Sequence, residues 1–81
     1  MLFPEFEIAR LETRLGDAEA ELYVARMEAR RFAANAELIE DGEFLRAIQR
    51  RRVACAEAVV RNLARQLEET RRHGSMARLA R

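Results

Sequence analysis

Ten apolar positions, Ile8, Leu11, Leu15, Ala18, Leu22, Ala25, Ala29, Phe32, Ala36 and Ile39, follow one another in alternating steps of three and four. No polar residue interrupts the row. A repeat of this period, held over more than four heptads, predicts one long helix with a single apolar edge packed along another helix. The row is thin in its middle, at Ala18, Ala25, Ala29 and Ala36, so a partner helix can approach closely there. Gly16-Asp17 is the one interruption in helix-forming sequence. Glycine costs about 1 kcal/mol relative to alanine inside a helix, but the row keeps its phase across it, which predicts a continuous or gently bent helix.

The rest of the chain reads as the supplier of that partner. Pro4 suits the first helical position, and Glu5 and Glu7 suit a first turn. Helix 1 is expected over residues 5–39. Phe3 and Phe6 either close the bottom of the molecule or touch a partner. The stretch 40–43 contains Asp41-Gly42 and reads as a turn, with Asp41 placed to cap the next helix and Glu43 in its first turn. A connection this short makes the flanking helices antiparallel neighbours. Helix 2 is expected over 43–72, stopped by Gly74 behind Arg71, Arg72 and His73, and residues 73–81 read as a flexible tail. The expected fold is all-α: an antiparallel two-helix hairpin, coiled-coil-like, forming one domain over residues 1–72.

Helix 2 is patterned differently from helix 1. Leu45, Ala56, Leu63 and Leu67 point one way, with Ile48, Cys55 and Val59 to one side and Val53 and Val60 to the other. This apolar arc covers about half the circumference, wider than the ~100° stripe of a simple surface helix. One thin neighbour cannot cover it. The candidate partner-binding residues are therefore Leu45, Ile48, Val53, Val59, Val60, Leu63 and Leu67. Aspartate at Val60 or Leu63 is expected to abolish assembly with helicity largely retained. Arg52 lies inside the arc and either reaches along its stem to water or pairs with an acid from helix 1 or a partner. Arg46, Arg50, Arg61, Arg65 and Arg72 share the opposite face, where Glu57/Arg61 and Glu68/Arg72 are favourable four-apart pairs.

Composition bounds the function classes. An 81-residue chain forms one domain with a thin core, and its expected stability is roughly 3–5 kcal/mol, which association commonly supplements. Residues 1–43 carry five Arg against eleven acids, and residues 44–81 carry ten Arg against three. The two halves attract, which favours folding back or antiparallel pairing with a second copy. Cys55, the single cysteine, reads as a small buried apolar residue of a protein from a reducing compartment, and a cytoplasmic location is expected. His73 has no second ligand at metal spacing, and no run approaches the ~18–20 apolar residues of a membrane span. No nucleophile, acid–base pair or phosphate loop assembles, so neither enzymatic activity nor a cofactor is expected.

Leu11-Glu12-Thr13-Arg14-Leu15, the long first helix, the Asp41-Gly42 turn followed by Phe44, and a second helix rich in Ala, Val and Leu resemble the small E-type co-chaperones of bacterial type III secretion systems. The resemblance covers about residues 11–67. It implies a non-enzymatic helical hairpin that works with a helical-repeat chaperone to hold the needle subunit monomeric in the cytoplasm, through partner contacts alone. Two further readings stand beside it. One is a self-associating coiled-coil protein, in which two hairpins pair their wide faces into a four-helix bundle. The other is a nucleic-acid or acidic-surface binder using the Arg face of helix 2, disfavoured by the interleaved Glu57 and Glu68 and the near-neutral total charge.

Overall fold

A computed structural model describes the backbone of residues 4–35, 37 and 40–79 and the side chains of residues 5–35, 37 and 40–74. Two helices, α1 (Pro4–Asn35) and α2 (Gly42–Leu79), pack antiparallel along their length as a hairpin. The molecule is a rod of 64 × 17 × 15 Å. Helix α1 starts at Pro4 with Glu5 and Glu7 in its first turn, where the positive end of the helix dipole favours them. It passes Gly16 without a break. Its last turn has no basic residue; side chains donate to carbonyls at this end, Asn35 Nδ2 to Arg31 O at 3.1 Å and Arg46 of α2 to Ala33 O at 3.4 Å. The expected seam positions Ala36 and Ile39, and Phe3, lie outside the described residues.

The turn is made by Asp41, which takes a left-handed backbone (φ 63°). Asp is one of the few side chains that tolerate this region. The Leu45 N–H donates to Asp41 O at 3.1 Å, closing the first turn of α2. Among the described residues the Asp41 carboxylate caps no backbone N–H. The cap expected of its side chain is therefore not made.

Helix α2 does not stop at Gly74 but continues to Leu79. The expected end of the helix before Gly74 is corrected accordingly. Glycine is disfavoured in a helix by only about 1 kcal/mol, and Met, Ala, Arg and Leu follow it. No described glycine takes a positive φ.

The seam on α1 runs as the sequence pattern requires: Ile8, Leu11, Leu15, Ala18, Leu22, Ala25, Ala29 and Phe32 are all buried or half-buried. The seam on α2 is equally regular. From Gly42 through Arg46, Gln49, Val53, Ala56, Val60, Leu63 and Leu67 to Thr70 and Gly74, steps of four and three alternate, and every position is buried or half-buried. Two long 3–4 rows facing each other are the geometry of knobs-into-holes packing. The best-formed core lies far from the turn, where Leu11, Ala18, Leu63 and Leu67 form a buried cluster flanked by Ile8, Leu15 and Val60. Three ion pairs tie the helices together along the seam edges: Glu12–Arg71 at 3.8 Å, Arg26–Glu57 at 3.3 Å, and Glu28–Arg52. Two of the three join an acid of α1 to an arginine of α2, in line with the charge split of the sequence. Glu68–Arg72 forms at 2.6 Å, whereas Glu57 turns from Arg61 to Arg26.

Candidate partner-binding surface

Each residue of a second row on α2 immediately precedes a seam residue. Leu45, Ile48, Arg52, Cys55 and Val59 stand one place before Arg46, Gln49, Val53, Ala56 and Val60. One residue is a rotation of about 100° on a helix, so this row faces sideways from the hairpin. It also keeps the 3–4 period. Helix α2 is therefore two-edged: one edge is spent on α1 and the other is open. Ile48 is 45% and Val59 49% exposed, Cys55 is exposed, and Leu45 is half-buried. Beside the row a shallow cleft runs between the helices, lined by Ala20, Glu21, Val24 and Ala25 of α1 and by Arg52, Cys55, Ala56 and Val59 of α2. Val24 is 46% exposed on its α1 side, and Tyr23 and Phe44 are each about two-thirds exposed.

The seven residues singled out from the sequence divide between the two edges. Ile48 and Val59 lie on the open edge. Leu63 and Leu67 are each 5% exposed and belong to the hairpin's own core, so they are not free to bind a partner. Val53 and Val60 are half-buried in the seam, and half-buried Leu45 stands at the turn end of the open row. The correction has a simple cause. The sequence shows how wide the apolar arc is, but α1 covers the Val53–Val60 side of it and leaves the Ile48–Val59 side. Aspartate at Leu63 or Val60 therefore attacks the hairpin itself. Cys55, expected to be buried, is exposed for the same reason.

Arg52 is the only charge in the open row, and its guanidinium pairs with Glu28 of α1. It thus neither floats free nor awaits an acid from outside. Along the seam stand two polar residues: Arg46, which the sequence pattern placed on the opposite face with the other arginines and which instead reaches α1, and Gln49, which it did not mark. Arg46 Nε and Gln49 Oε1 are buried without a hydrogen-bond partner among the described residues. Both border a second cleft with Ala29, Phe32, Ala33 and Arg50. The signal that finds them is the strict 3–4 count carried back from Val60 and Val53. Apolar residues alone point to Leu45 in their place.

Among the described residues no three His, Cys, Asp or Glu side chains are grouped to hold a metal ion, and no helix is long and apolar enough to cross a membrane. Comparison of the chain with protein-family models, with curated proteins and with solved structures finds no match.

Proposed function

We propose that this chain is a non-enzymatic helical adaptor that docks a helical protein partner along the open edge of α2. The observation that carries this reading is the second 3–4 row, apolar at Leu45, Ile48 and Val59 and exposed over most of its length. An amphipathic helix laid in such a groove is read through residues spaced three and four apart. The resemblance in layout to the small E-type co-chaperones of type III secretion gives the reading its finer form. The partner is then a helical-repeat chaperone or a needle-type subunit, held in the cytoplasm before assembly. Arg52 supports the docking chemistry, because its pair with Glu28 spares the interface an uncompensated charge.

Val59→Asp is the test. Val59 is half-exposed and outside the buried cluster, so the substitution is expected to change folding stability by no more than about 0.5 kcal/mol. Co-purification from the native cell is expected to lose a stoichiometric protein partner that the unaltered chain retains. A Val59→Asp chain that still carries the same partner places the binding surface elsewhere.

A further inference from the structure

The two seams share more than a period. Leu11, Ala18, Ala25 and Phe32 on α1 are seven residues apart, as are Arg46, Val53, Val60 and Leu67 on α2, and every one is buried or half-buried. Phe32 and Arg46 are fourteen apart, two whole heptads. The row therefore keeps its phase across the turn. A hairpin has no use for that agreement, since a turn can bring any phase of α2 round to face α1. It matters where one helix runs straight on through residues 36–41. The sequence there, Ala36-Glu37-Leu38-Ile39-Glu40-Asp41, holds no Gly or Pro to stop a helix. The turn itself resists straightening weakly. Asp41 takes a left-handed φ of 63°, which costs an L-residue energy that the helical region does not. Gly42 would take that region freely, yet it is the first residue of α2 and no described glycine has a positive φ. The backbone bond at the turn, Leu45 N–H to Asp41 O, is an i to i−4 bond that an unbroken helix keeps.

We infer that the hairpin opens at Asp41 into one continuous helix, and that two opened chains pair antiparallel, α1 of each lying on α2 of the other. The core gathers Leu11 with Leu67, Leu15 with Leu63 and Ala18 with Val60, pairs that each straddle position 39 evenly. A two-fold axis at that position brings the same residues together between copies, so the seam is remade with the contacts it already has. The Glu12–Arg71, Arg26–Glu57 and Glu28–Arg52 pairs are remade with it. Charge favours the arrangement. Residues 1–43 carry five Arg against eleven acids and residues 44–81 ten Arg against three, so each acidic half lies on the basic half of the other copy. Exchange of identical elements is a low-cost route to a dimer. The product is a two-stranded rod about 115 Å long at ~1.5 Å per residue, against 64 Å for the hairpin. The open edge of α2 takes no part, so the rod carries two such edges, and the inference stands apart from the docking reading.

The test uses the full chain in sedimentation equilibrium up to its solubility limit, with small-angle scattering for length and a spin label on the exposed Cys55 for distance. Mass is expected to rise from one chain to two, the longest dimension to reach about 115 Å, and the two labels to stand about 50 Å apart, the span of 32 helical residues. Asp41 is exposed, so its substitution leaves the seam intact. Asp41→Gly relieves the turn and disfavours the straight helix, and is expected to weaken the dimer roughly tenfold. Asp41→Ala does the reverse, since Ala is poorer in the left-handed region and better in a helix, and is expected to strengthen it roughly tenfold. Val59→Asp is expected to leave the dimer unchanged. A chain that stays monomeric, as Asp41→Ala as well as unaltered, overturns the inference. So does a dimer no longer than the hairpin, one indifferent to both changes at Asp41, or one lost with Val59→Asp, which belongs to the open edge. None of these outcomes touches the adaptor reading, which rests on the partner retained by the unaltered chain.

Discussion

Far from the turn, Leu11, Ala18, Leu63 and Leu67 close into a dry cluster, with Leu11 1% exposed. Near the turn, the same register is filled by Arg46 and Gln49, Phe32 and Leu45 are only half-buried, and Phe44 is 67% exposed. The two halves share one helix pair and one heptad phase, yet one is sealed and the other is not. The difference teaches that register and stability come from different places. The α1 row and the short turn bring the helices together in phase. The leucines at the open end supply most of the burial, at about 1.5–3 kcal/mol for each side chain fully covered. The turn-proximal half is carried along by the register and leaves apolar surface on its flank, which is where the open row of α2 lies.

The contrast is broken most forcefully from the sealed side. Leu63→Ala is expected to cost about 2–4 kcal/mol, a large share of what an 81-residue hairpin has, and the loss of helical signal on urea or thermal unfolding measures it. Leu45→Ala in the other half is expected to cost under about 1 kcal/mol, since Leu45 is only half-buried. Equal effects would show that the halves are alike. Gln49→Leu sharpens the comparison from the other end. It removes a buried oxygen that has no partner among the described residues, and is expected to stabilise the hairpin by about 1 kcal/mol, read as a higher midpoint in the same titration. Gly16→Ala comes next. Nothing lies within 4 Å of an added Cβ, so the helix-propensity gain of up to about 1 kcal/mol is expected in full. The smallest effect belongs to the seam-edge pairs. Arg26→Ala breaks a 3.3 Å pair between side chains 50% and 38% exposed, and a loss of a few tenths of a kcal/mol is expected, shrinking further in high salt.

Much of the architecture is legible without coordinates. The α1 row of Ile8 to Phe32 is unambiguous because a single apolar edge offers only one way to pack. The end of α2 was less legible. Gly74 looks like a stop, yet one glycine is too weak a signal to overrule the helix formers around it. The candidate surface was half legible in its exposure: Ile48 and Val59 are open to solvent, whereas Leu63 and Leu67 went to the core.

What the sequence alone determined is that there are two long helices joined by a tight turn, and that the second is too widely apolar for the first to cover. Which edge of α2 meets α1 was decided only in the tertiary structure. Two rows of the same 3–4 period lie one residue apart on α2, and period does not choose between them. Packing chooses, by burying Val53, Val60, Leu63 and Leu67 together, and that choice draws Arg46 and Gln49 inward while leaving Ile48, Cys55 and Val59 in the open.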